Sequence, residues 1–162
     1  MQSTNGGTAP VIAVVVVGLV IFRQLRTRRM TRYGSLIAPA VLGVLGVAGI
    51  AFGIATVIED HHQLTVLPVV LLAVSLAVAA GLGMVRSRTV RLWHDPTGQV
   101  LRKGTPATTG LWLTSVAAHI GLGLWIDHAA GAGALGVASL YAYLAIGLGT
   151  QNLLLRGRAA AL

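Results

Sequence analysis

Four titratable side chains stand in a row in an otherwise apolar stretch: Glu59, Asp60, His61 and His62, within IEDHHQ. The 23 residues from Ser35 to Val57 carry no charge, and after the cluster none follows until Arg86. Asp127 and His128 form a second, smaller group, and His119 stands alone in an apolar run. The chain has four acids in all, so these two groups hold three of them. Two chemistries suit carboxylates mixed with imidazoles. Metal binding is one, because imidazole and carboxylate suit zinc, copper or nickel. Adjacent His61 and His62 cannot easily aim at one ion, and no HxxH or HExxH spacing occurs. No metal and no cofactor are therefore expected. Proton transfer is the other. A carboxyl group pushed toward low dielectric has its pKa raised and can act as an acid near neutral pH. In an apolar cavity such an acid could protonate an alkene, and aromatic faces would hold the resulting cation.

The surroundings of these residues follow from composition. Of 162 residues, 55% are hydrophobic and 10% charged, and the mean hydropathy is +0.80. A soluble domain carries roughly 25% charged residues, so the expected solvent is lipid. A helix needs about 20 apolar residues to cross the hydrocarbon. Five stretches are candidates: about 9–22, which is short and needs the uncharged Thr4 to Thr8 to complete it, and about 35–58, 64–85, 107–126 and 132–155. Short connections make consecutive spans antiparallel neighbours in one bundle. The fold class expected is all-α integral membrane, a single domain over 1–162.

The twelve basic residues orient that bundle. Arg23, Arg26, Arg28, Arg29 and Arg32 lie between the first and second spans. Arg86, Arg88, Arg91, Arg102 and Lys103 lie between the third and fourth, and Arg156 and Arg158 follow the fifth. All fall on one side of a five-span chain, the cytoplasmic side by the positive-inside rule. The N-terminus is then outside and the C-terminus inside, in a multi-pass protein of the cell (plasma) membrane. The net charge of +8 reads as topology plus attraction to anionic lipid headgroups, with no nucleic-acid partner. The residues before the first span carry no positive charge, which suits an uncleaved anchor. The absence of cysteine excludes disulfides, thiolate metal sites and cysteine nucleophiles.

Local signals refine this. Gly43, Gly46, Gly49 and Gly53 line the second span, Gly121 and Gly123 the fourth, Gly147 and Gly149 the fifth, and each suits close helix approach. Pro39 and Pro68 fall in or near first turns, where a missing N–H is harmless. TVRLWH and QVLRKG flank DPTG, which has type I turn chemistry. An amphipathic β-hairpin on the inner membrane face is expected, with Asp95 a turn residue and Trp93 at headgroup level. The loops then gather residues 59–62 and 127–128 on the outer rim. His119 shares a helical stripe with Trp112 and Ser115. An ionisable residue at that depth is a functional hypothesis by default; its alternative is a neutral imidazole bonded to a helix carbonyl or to Ser115.

VIFRQLRTRRM after the first span, EDHH after the second, and RTVRLWHDPTGQVLRKGTPATTGLWL before and into the fourth resemble the small actinobacterial membrane proteins of the CcdC-like group. That resemblance covers nearly the whole chain in element order and implies a non-enzymatic accessory or assembly protein. In size, architecture and acid placement the chain also resembles the small membrane-bound bacterial terpene cyclases of indole-sesquiterpenoid pathways, of drimentine and xiamycin type. This second resemblance implies proton-initiated cyclisation of a farnesyl-type chain on an indole or diketopiperazine head, a lipid-soluble isoprenoid substrate. Glu59 or Asp60 would then donate the proton, with His61, His62 or Asp127 tuning or re-protonating it. His62, Trp112, His119, Trp125 and Tyr141 would contact the substrate. Neither DxDD nor DDxxD is present, so neither soluble cyclase class applies.

Overall fold

The computed structural model describes residues 22, 25–30, 34–59, 66–130, 136 and 139–162. The first expected span, but for Phe22, lies outside them, as do Asp60, His61 and His62. Among the described residues four helices carry the architecture: α1 (Gly34–Glu59), α2 (Val66–Thr89), α3 (Pro106–Ala130) and α4 (Leu140–Ala160). Three short strands accompany them: β1 (Arg28–Arg29), β2 (Arg91–His94) and β3 (Val100–Lys103). The helices α1, α2 and α3 are each long and apolar enough to cross a membrane. They correspond to the second, third and fourth expected spans. The last described helix starts and ends later than expected, reaching Ala160.

Helix α4 packs against both α1 and α2, and α2 packs in turn against α3. The most enclosed helix is thus also the one interrupted by Gln151, Asn152, Arg156 and Arg158. It presents much of its surface to other helices, so it tolerates polar groups that a lipid-facing helix could not. Small residues permit the approach. A Cβ on Gly46 would lie 2.5 Å from the Ala142 backbone, and one on Gly83 would collide with the Gly147 carbonyl. The expected contact role thus falls on Gly46, Gly83 and Gly147, whereas a Cβ on Gly121 meets nothing within 4 Å. Pro39 sits inside α1, deeper than a first turn, and its ring rests on Gly149.

Burial is inverted relative to a soluble domain. Val44, Val47, Phe52, Val66 and Leu124 are exposed, while Ser75, Arg86, Ser87, Thr108, Ser115, His119 and Asn152 are buried. Water around such a surface would be costly at about 25 cal/mol per Å² of apolar area. Hydrocarbon removes that cost, and makes internal partners for polar groups obligatory.

A threonine network joins α2 to α3. Thr105 precedes Pro106, the first helical residue of α3, where proline lacks only a donor that would go unused. The Thr108 amide donates to Thr105 Oγ1 (3.3 Å) and the Thr105 amide to Thr108 Oγ1 (3.0 Å), a reciprocal cap. Thr105 Oγ1 also donates to the Thr89 carbonyl (3.0 Å), and Thr89 and Thr108 hydroxyls meet at 2.8 Å.

The expected hairpin is present, with β2 antiparallel to β3. Its turn is built as the composition requires. The Gly98 amide donates to the Asp95 carbonyl (2.9 Å), and Gly98 has φ +79°. A left-handed glycine after a type I turn is the common three-residue hairpin loop. The sequence did not foretell a third strand: β1 pairs antiparallel with β3, giving the order β1-β3-β2.

Candidate functional site

Two groups of polar side chains occupy the described bundle, one in its interior and one at its basic end. The interior group draws on three helices. Ser75 is the sole polar residue between Val66 and Val85, and with Ala79 and Gly83 it lies on the stripe of α2 that is buried. Ser115 and His119 come from α3, and Tyr143 from the first turn of α4. All four side chains are buried. Ser75 Oγ lies 3.3 Å from His119 Nδ1. The His119 ring sits 4.6 Å from the Tyr143 ring, tilted by 41°. The Tyr143 hydroxyl donates to the Ser115 carbonyl (2.7 Å) and pairs with Ser115 Oγ (2.9 Å). The imidazole therefore meets Ser75 of α2, not the Ser115 expected from helical spacing. Ser75 was not among the sequence candidates, although its isolation in an apolar run was the available signal.

The residues expected around a substrate are dispersed. Trp112 is half-buried, but Trp125 is 58% exposed and Tyr141 47% exposed, so neither lines the bundle interior. Glu59 closes α1 and is exposed. Asp127 and His128 do not form a loop: α3 continues through them to Ala130. His128 is exposed, and the side chain of Asp127 lies outside the described set. Asp60, His61 and His62 lie outside the described residues altogether. Among the described residues no three His, Asp or Glu side chains gather as a metal site requires.

The basic end is assembled from separate stretches of chain. Cross-strand register places Arg28 opposite Arg102 and Arg102 opposite Leu92. The next row is Arg29, Leu101 and Trp93, and Arg91 faces Lys103. Side chains alternate across a sheet, so Arg29, Arg91, Lys103, Leu101 and Trp93 share one face. Arg28, Arg102, Leu92, Val100 and His94 share the other, which meets α4, where Arg102 Nη1 donates to Asn152 Oδ1 (3.2 Å). Burial pushes the Arg102 guanidinium below its usual range, and the neighbouring Arg28 charge pushes the same way. Arg158 reaches back along α4 and donates to the Ser87 carbonyl and to that of Val90 (3.2 Å). Those carbonyls end α2, where a cation complements the helix dipole.

Asp95 is the acid closest in sequence to this end, and its carboxylate is committed to its own turn. Oδ1 accepts from Thr97 Oγ1 (2.6 Å), the Gln99 amide (2.9 Å) and the Thr97 amide (2.9 Å). These bonds, chiefly those from Thr97 and Gln99, hold its pKa below the ordinary aspartate range.

Arg86 differs from its neighbours. It leaves the last turn of α2 but is only 3% exposed, whereas Arg88 is exposed. Its Nη2 lies 2.9 Å from where a Cβ on Gly147 would be. Its Nε has no hydrogen-bond partner among the described residues. The sequence suggested a loop arginine; the helix runs on to Thr89 and turns it inward.

No protein-family model, curated protein or solved structure matches this chain.

Proposed function

We propose that the chain is a five-span protein of the cell (plasma) membrane, N-out and C-in, with its hairpin on the cytoplasmic side. Its working surface is the sheet-capped end, which holds anionic phospholipid headgroups and seats the protein as a non-enzymatic accessory or assembly component. One observation carries this reading: two distant stretches of chain combine in one sheet whose face carries Arg29, Arg91 and Lys103 beside Trp93 and Leu101. Cations near an anionic surface contribute about 1 kcal/mol each, and tryptophan favours the headgroup level.

A second reading, proton-initiated cyclisation of a farnesyl-type chain, draws support from the His119 imidazole lying against the Tyr143 ring within the apolar bundle. Glu59, Asp60, His61 and Asp127 would supply its proton chemistry.

One preparation tests both. The protein is reconstituted into phosphatidylcholine vesicles containing a minority of phosphatidylglycerol, with spin-labelled lipid reporting its immediate surroundings. Enrichment of the anionic lipid is expected, and its loss on joint Arg29→Gln, Arg91→Gln and Lys103→Gln substitution. No enrichment around the parent protein would sink the accessory reading. The same vesicles are offered farnesylated indole. A product of equal mass, lost in Glu59→Gln/Asp60→Asn protein, would establish the cyclase instead.

A further inference from the structure

The sheet at the basic end has an open side. Its order is β1-β3-β2, and among the described residues no strand lies beyond β2. The direction of each backbone group in β2 follows from its neighbours. The Asp95 amide donates to the Gln99 carbonyl (2.9 Å), and on the other side of β3 the Met30 amide donates to the Val100 carbonyl (3.0 Å). Hydrogen-bonded and non-hydrogen-bonded pairs alternate along an antiparallel ladder. In the register Arg91↔Lys103, Leu92↔Arg102, Trp93↔Leu101 and His94↔Val100, Arg91 and Trp93 are therefore the residues bonded to β3. Leu92 and His94 turn their N–H and C=O groups outward. Such an edge is a template for another strand. Arg91, Trp93 and His94 are exposed along it, and no proline interrupts it.

We propose that this edge pairs with the same edge of a second copy, antiparallel about a two-fold axis at Trp93, joining two three-stranded sheets into one. Outward-turned residues must face outward-turned residues, so the axis passes through a residue of β2 and not between two. At Arg91 it would oppose arginine to arginine, which is destabilising. At Leu92 it would call on the Val90 carbonyl, which already accepts from Arg158. At His94 it would set Leu92 opposite Pro96, which has no amide to give. At Trp93 each requirement is met. Leu92 and His94 of one copy exchange backbone bonds with His94 and Leu92 of the other, about four bonds in all. The two tryptophans meet as a non-hydrogen-bonded pair, where Cα atoms come within about 4.5 Å and aromatic pairs are favourable. Arg91 falls opposite Asp95 of the second copy, and this charge complementarity singles out a second copy as the occupant. Within its own sheet Arg91 faces another cation, Lys103. The three bonds of the Asp95 turn all fall on Oδ1, which leaves Oδ2 for the guanidinium. The axis is normal to the sheet, so both copies keep their helices on the same side of it, as two chains in one membrane must.

The contact is small beside that of a permanent dimer, so the association is reversible and is read by trapping it. The chain has no cysteine, and single cysteines therefore report position. Cα atoms about 4.5 Å apart are within disulfide reach, and those beyond about 7 Å are not. Trp93→Cys protein in phosphatidylcholine vesicles, oxidised with copper phenanthroline, is expected to give a disulfide-linked dimer. Arg91→Cys is expected to stay monomeric, because its two copies would stand about 13 Å apart along the strands. Two further substitutions are made in the Trp93→Cys protein. His94→Pro removes an edge amide that the hairpin itself does not use, one from each copy, and is expected to lower the dimer yield about tenfold or more. Arg91→Glu leaves the backbone edge intact and sets an acid opposite Lys103, so it does not threaten the hairpin. It is expected to lower the yield by placing glutamate against Asp95 of the second copy. Absence of the Trp93→Cys dimer would overturn the proposal. So would equal linking of Arg91→Cys, or a yield that Arg91→Glu leaves unchanged. Phosphatidylcholine carries no net charge, so this pairing does not depend on anionic lipid gathering at the sheet, and either reading can fail alone.

Discussion

Tyr143 is where three helices are tied together. Its hydroxyl donates to the Ser115 carbonyl and meets the Ser115 hydroxyl, and its ring carries His119, which reaches Ser75. In hydrocarbon these groups have no water to turn to, so each partner is bound to the others. Tyr143→Phe keeps the ring on His119 but removes both hydroxyl contacts. We expect a loss of about 1 kcal/mol or somewhat more, within the range of single hydrogen bonds in membrane bundles. Reversible unfolding in mixed micelles measures it, and an unchanged midpoint would show that the seam is held by packing alone. Among the described candidates for proton chemistry or substrate contact, His119 is brought into a defined polar contact with another helix. Its depth in an apolar run made it legible. Its partners were not, because helical periodicity sorts residues along one helix and is silent on which neighbouring helix they meet. Ser75 and Tyr143 lie 44 and 24 positions from His119.

The β-hairpin was the most legible element. DPTG specifies both the turn and the left-handed glycine, and the structure uses Asp95 as that composition demands. The same bonds make the turn sensitive to acid. The carboxylate's native pKa is depressed by Thr97 and Gln99, so its contribution is complete above the unfolded value, about 4. It is lost as the pH falls from there through the lower native value. Acid titration of an Asp95→Asn protein beside the parent should remove that part of the pH dependence, read by amide exchange at Gly98 and Gln99. Equal exchange profiles for the two proteins would contradict the assignment. The ends of helices were less legible. Arg86 and Asp127 both belong to helices that outlast their apolar runs. Hydropathy marks where lipid ends, whereas a helix ends where its backbone groups find caps, here the Thr89, Thr105 and Thr108 cluster.

Across the described residues the protein is turned inside out, with many aliphatic side chains outward and hydroxyls, an imidazole and the Arg86 guanidinium inward. Its orientation can be measured directly because the chain has no cysteine. Single Trp93→Cys and Glu59→Cys proteins should behave oppositely toward a membrane-impermeant maleimide on intact cells. Glu59→Cys is expected to label at once and Trp93→Cys only after permeabilisation. The reverse pattern would invert the topology, and labelling of both from outside would break the five-span count. That described arginines from three stretches gather near one another, Arg28 and Arg102 in the sheet and Arg158 on the end of α2, agrees with their spacing between apolar runs. That Arg28 and Arg29 form a strand beside β3 was not foreseeable, for two residues carry too little pattern to announce a strand.

Composition and hydrophobic run length were enough to announce three helices long and apolar enough to cross a membrane, because that property depends on local chemistry and chain length alone. The pairing of β1 with β3, the contact of His119 with Ser75 and the inward turn of Arg86 came from packing between distant segments. The room for Arg86 depends on Gly147, where a Cβ would press on Nη2, and the close approach of the helices depends on Gly83 against Gly147 and Gly46 against Ala142. Such complementarity is a property of two surfaces together and is written in neither segment by itself.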